Sequence, residues 1–157
     1  MRLLPAVLLS VALPLAAQDF NEGEWEFDTR LTVPGLPSME GFQLPEGLEL
    51  PEGLQMPSFS AEGMRMVSRH CVTRESLVPP NDPAQQCRVT DQQISGGRVS
   101  WRVECDSPQG RAVGIGQGQY SGTQMQATMQ VQGTVQGLPI TSNVVTEGRY
   151  LGACPAA

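Results

Sequence analysis

From Gly23 to Val33 apolar and polar side chains alternate. Trp25, Phe27, Thr29, Leu31 and Val33 fall on one side, and Glu24, Glu26, Asp28 and Arg30 on the other. A period of two predicts a half-buried strand. The pattern returns at Val99, Trp101, Val103 and Cys105, and again at Met125, Ala127, Met129 and Val131, where glutamines occupy the intervening positions. One apolar and one wet face are the mark of an antiparallel sheet. Weaker strands are predicted at Met64 to Val72, Cys87 to Ile94, Arg111 to Tyr120 and Ile140 to Tyr150. Short joints such as Ser95-Gly96-Gly97, Ser107-Pro108-Gln109-Gly110 and Ser121-Gly122 separate them. The expected fold is therefore all-β: an antiparallel up-and-down meander of about seven strands, forming a curved sheet or open barrel. The one helical candidate is a turn or two from Thr73 to Leu77, ended by Pro79-Pro80.

Gly114, Gly116 and Gly118 alternate along one of these strands. A strand face without side chains accommodates either a large ring, Trp25 or Trp101, lying on the backbone, or the floor of a ligand cavity. Residues 42–60 break the alternation with Pro45-Glu46-Gly47-Leu48 and Pro51-Glu52-Gly53-Leu54. Proline every sixth residue suits neither a core strand nor a regular helix, so a string of turns inserted between the first two strands is expected.

The N-terminus carries one arginine, a short apolar run and two small residues, Ala16 and Ala17. That is the build of a secretory signal peptide over residues 1–17, with residues 18–157 as a single domain. The run is shorter than the roughly 20 apolar residues that span a bilayer, so no stable membrane insertion is expected after cleavage. Four cysteines remain, Cys71, Cys87, Cys105 and Cys154, an even number in an exported chain, which predicts two disulfides. Three connectivities are possible. Proximity along the chain favours Cys71 with Cys87 and Cys105 with Cys154. A four-cysteine zinc site would want a Cys-x-x-Cys pair, and none is present.

The formal charge of -6 disfavours nucleic acid and anionic lipid as partners, and all ten basic residues are arginine, so lysine chemistry is excluded. Candidate chemistry is sparse. The one histidine, His70, neighbours Cys71, but adjacent strand residues point to opposite faces and an oxidised Cys71 is no nucleophile. Glu24, Glu26 and Asp28 share a face opposite Trp25 and read as a solvated acidic ladder. Met64, Met66 and His70 share a strand face, and thioethers with an imidazole are the donor set of a Cu(I) site. Methionine on an apolar strand face is also ordinary core filler. No cofactor is expected.

The landmarks also come in a particular order. A Gly-x-Trp motif ends at Trp25, Cys71-Val72-Thr73 precedes a proline-rich stretch, Trp101 leads to Cys105, and Gly148-Arg149-Tyr150-Leu151-Gly152-Ala153-Cys154 closes the chain. Together they resemble the bacterial secreted family catalogued as domain of unknown function 3617. The likeness covers nearly all of the chain after the signal; the Pro-Glu-Gly-Leu repeat is outside the pattern. The resemblance implies an exported protein of a Gram-negative bacterium, periplasmic or secreted, with disulfides and no assigned activity. The expected role is a non-enzymatic binding or interaction module, whose partner is another protein or a small apolar ligand. Structural roles are expected for the four cysteines, Trp25, Trp101, Gly148, Arg149 and Gly152. For Arg149, pairing with an acid such as Glu147 or Asp106 is expected ahead of contact with an anionic ligand.

Overall fold

A computed structural model describes residues 20–35, 40–41, 53–77, 86–108 and 110–155. The signal segment 1–17 and residues 42–52 of the Pro-Glu-Gly-Leu stretch lie outside them. Eight strands form one sheet: β1 Gly23–Thr32, β2 Ser58–Ser60, β3 Gly63–Val72, β4 Cys87–Ser95, β5 Arg98–Ser107, β6 Gly110–Tyr120, β7 Gln124–Val135 and β8 Leu138–Gly152. The order across the sheet is β2-β3-β1-β8-β7-β6-β5-β4. Every pairing is antiparallel. Strands β2 and β4 do not pair with each other, so the sheet stays open, and the all-β antiparallel expectation holds.

Strands β4 to β8 run in sequence order because their joints are tight. Gly96 and Gly97 both have positive φ, 57° and 76°, which matches the two-residue hairpin turn whose twist suits the flanking strands. Gln136 and Gly137 repeat that geometry at 51° and 80°, carrying β7 and β8 up to Val135 and Leu138, beyond the ends read from the sequence. The last residues of the 42–60 stretch form β2, an eighth strand. Strand β1 sits inside the sheet between β3 and β8. The Thr73 to Leu77 candidate is a single 3₁₀ turn, Arg74–Ser76. Ser76 Oγ accepts from the Thr73 N–H at 2.8 Å.

The register explains the disulfides, which join Cys71 to Cys154 and Cys87 to Cys105. This corrects the pairing that chain proximity favours. Glu24 of β1 stands opposite Cys71 on one side and Gly152 on the other, so the ends of β3 and β8 flank the same point, and Cys154 reaches Cys71 two residues on. Their Cα atoms are 5.7 Å apart. Cys87 and Cys105 are direct partners in the β4–β5 ladder. Between Cys71 and Cys87 the chain passes from β3 to the far edge of the sheet, which separates two cysteines that are near in sequence.

The apolar face carries the core. Trp25 is fully buried. Phe20 stacks on it at 4.7 Å, and Tyr150 meets it edge-on at 5.8 Å. Its indole N–H donates to the Asn21 carbonyl at 2.9 Å. The segment before β1 thus closes over the strand that follows it. Trp101 is also buried, and its indole lies on Gly116: a Cβ added there would overlap the ring. Gly114 is met by Val103, Met129 and Val131, Gly118 by Val99 and Ala127, and Gly148 by Phe27 and Met125. Of the two options for the glycine face, the ring against the backbone is the one observed. Gly116→Ala is therefore expected to cost about 1–3 kcal/mol in urea unfolding, the usual penalty for overpacking, and Trp101→Leu in the same chain should recover part of it.

Candidate binding groove

The polar face divides into two parts with different chemistry. Over β3, β1 and β8 it is an ion-pair network. Glu26 accepts from Arg149 Nε at 2.8 Å and from Arg69 Nε at 2.7 Å, each arginine adding an Nη contact, 2.6 Å and 2.7 Å respectively. Asp28 accepts from Arg65 Nε and Nη2 and lies 3.7 Å from Arg30. Hydrogen bonds from Arg149 and then Arg69 hold the Glu26 carboxyl below its ordinary value of 4.5. The bond from Arg65 does the same for Asp28. Glu26 and Asp28 are thus neutralised by the flanking strands rather than forming a bare acidic ladder. Arg149 pairs with Glu26; of the two acids expected from the sequence, Asp106 is bound to Arg111 at 3.0 Å and Glu147 approaches Arg30 at 3.8 Å.

Because the Glu26 carboxyl is depressed, its contribution to stability is present above pH 4.5 and is lost as pH falls through the folded-state value. Glu26→Gln is expected to lower stability by about 1 kcal/mol at pH 7, since the arginines remain largely exposed. The difference from wild type should shrink below pH 4.5, as read by denaturant midpoints across pH.

Over β4 to β8 the polar face is different. The alternation that turns Gly116 and Gly118 inward turns Gln117 and Gln119 outward, and the one that buries Met125 and Ala127 exposes Gln126 and Thr128. Strand register lines these up in two rows. Arg98, Gln119, Gln126 and Glu147 stand opposite one another across β5, β6, β7 and β8, and beside them stand Ser100, Gln117, Thr128 and Val145. Gln93 of β4 is opposite Ser100. These side chains line a groove of about 850 Å³, within the range of small-ligand sites. Three strand spacings separate Arg98 from Glu147, about 14 Å.

No side-chain hydrogen bond within the described protein engages Gln93, Gln117, Gln119 or Gln126. The arginines behave differently from one another too. Arg30, Arg65, Arg69, Arg88, Arg102, Arg111 and Arg149 each lie within ion-pair distance of a carboxylate. Arg74 is also partnered. Arg98, in the groove on β5 beside Ser95 of β4, is the one described arginine without a partner. The sequence placed the glutamines on the wet face without singling them out; their recurrence at alternate positions was the signal.

The other sequence candidates do not converge. His70 and Cys71 fall on opposite faces of β3, and Cys71 is in a disulfide. The His70 ring stacks on Phe27 at 4.8 Å, and desolvation there pushes its pKa down. Met64 and Met66 share its face, but four residues of strand put Met66 and His70 about 14 Å apart, too far for one copper ion. Gly152 follows at the end of β8, in register with Glu24.

Residues 20–154 match the protein family described as protein of unknown function (DUF3617). No curated protein and no solved structure matches the chain.

Proposed function

Because the chain belongs to the DUF3617 family, whose description names no activity, we propose from the geometry that it is an exported, non-enzymatic binding module of the cell envelope, with the groove over β4 to β8 as its binding surface. The observation that carries this reading is the set of groove amides that bond to nothing else in the described protein, held at fixed spacing by a paired sheet. The paired backbone presents these unspent donors and acceptors without having to reorganise, so the ordering cost of binding is confined to the glutamine side chains, about 0.5–1.5 kcal/mol each. Export is supported by the residues 1–17 pattern and by two disulfides, which persist in oxidising compartments. Among the described residues no helix is long and apolar enough to cross a membrane.

One observation favours a second reading, a carrier of a small, largely apolar ligand bearing one hydrogen-bond acceptor: the Trp101 indole N–H is buried on the apolar face without an acceptor among the described residues. The filled glycine seam beneath that ring weighs against it. Nuclear magnetic resonance separates the two. The isotope-labelled, disulfide-intact protein is titrated with the small-molecule fraction of a periplasmic extract. Shifts in the side-chain amides of Gln117, Gln119 and Gln126 are expected. Shifts confined to the Trp101 indole would establish the apolar carrier instead, and an unchanged spectrum would overturn the binding reading altogether.

A further inference from the structure

We propose that the groove takes a short extended peptide with free termini, its carboxylate on Arg98 and its ammonium toward Glu147. This rests on the binding reading above and names the class of ligand. The first ground is charge. In a chain of net charge -6, where every other described arginine has a partner, Arg98 stands unpaired in a cross-strand row, between Ser95 of β4 and Gln119 of β6. A guanidinium offers a planar fork of donors that matches a carboxylate. Glu147, on β8, has a side chain 53% exposed and, among the described residues, is held only by a 3.8 Å approach to Arg30, which Asp28 shares. Within the row, which runs on to Ser95 of β4 and to Asp28 of β1, the two amides are therefore flanked by a positive group on β5 and a negative group on β8.

The second ground is what lies between. Gln119 and Gln126 fill the row and Gln117 and Thr128 flank it. A primary amide both donates and accepts, and so does each peptide unit of an extended chain. The third ground is length. From Arg98 to Glu147 is about 14 Å, and an extended chain advances about 3.4 Å per residue, so roughly four residues reach from one charge to the other. Among the described residues no aromatic side chain lines the groove, so these residues offer no stacking platform of the kind that sugar rings and bases use.

The probe is tetra-alanine with free termini, titrated into the isotope-labelled protein. Its C-amidated form, its N-acetylated form and maltotetraose are run beside it. Shifts at Gln117, Gln119 and Gln126 are expected for tetra-alanine, with affinity reduced about tenfold by C-amidation and about tenfold by Arg98→Gln. The amidated peptide should bind wild type and Arg98→Gln equally, because the partner of Arg98 is then already gone. N-acetylation and Glu147→Gln should be coupled in the same way. Equal binding of the free and amidated peptides, or no effect of Arg98→Gln on the free acid, would overturn the anchoring. Groove shifts with maltotetraose and none with tetra-alanine would overturn the ligand class and leave the binding module standing. Absence of binding by tetra-alanine at 20 mM, roughly the weakest affinity such a contact set should give, would overturn the peptide proposal; the binding module then falls only if the periplasmic extract also leaves the spectrum unchanged.

Discussion

Removal of the Cys71–Cys154 bridge by the double substitution Cys71→Ala and Cys154→Ala is expected to destabilise the protein by about 4.5 kcal/mol. The bridge spans 83 residues, and the chain-entropy model assigns about that value to a loop of such length. The Cys87–Cys105 bridge spans 18, and its removal should cost about 3 kcal/mol by the same model. The ranking is specific to the observed pairing. Domain stabilities commonly lie at 5–15 kcal/mol, so loss of the longer bridge removes a large fraction of the total. The location matters as well as the length, because the bridge ties the ends of β3 and β8 together across β1, whose other support is its ladders. Urea unfolding under non-reducing conditions measures both variants. Equal losses from the two bridges would contradict the assignment.

Trp25→Ala is expected to cost 3–5 kcal/mol, in the range of large-to-small substitution of a buried aromatic residue. The fully buried ring holds Phe20, Phe27 and Tyr150 in one cluster, so its loss opens a cavity at the centre of the core. The Asn21 carbonyl would also lose the indole donor that now fixes the segment before β1. Trp25→Phe keeps a ring for Phe20 to stack on but not that donor, and should recover about half of the loss. Far-UV circular dichroism follows the transition in both variants, and Trp101 remains as a fluorescent reporter. A cost below about 1 kcal/mol for Trp25→Ala would mean that the cluster is not the core of the fold.

The strands were legible because they depend on local alternation. Trp25 to Val33, Val99 to Cys105 and Met125 to Val131 each declare a buried face within a few residues, and the glycine pair at Gly96-Gly97 declares its turn. Strand β2 was not legible, since three residues are too few to show a period. The β7–β8 turn was missed because Gln136 is an unusual residue at positive φ, although Gly137 beside it is a common one. The position of β1 between β3 and β8 depends on which ladders form, a property of pairs of segments distant along the chain, and in the case of β1 and β8 more than a hundred residues apart. The cysteine pairing failed for the same reason: Cys71 and Cys87 are close along the chain and six strands apart in the sheet. Gln119, Gln126 and Glu147 were each readable as outward-facing residues, yet their alignment with Arg98 exists only once three hairpin registers are set.

That register makes the topology the claim on which the groove, the core and the ion-pair network all rest, and peptide mapping of the two bridges tests it most directly. Arginines at 69, 74, 88, 102, 111 and 149 place each cysteine on its own tryptic peptide. Non-reducing digestion and mass spectrometry should therefore find the peptide of Cys71 linked to that of Cys154, and the peptide of Cys87 linked to that of Cys105. Recovery of Cys71 with Cys87 and Cys105 with Cys154 would bring the ends of β3 and β4 together, which the strand order does not allow, and would contradict the fold and the groove built on it.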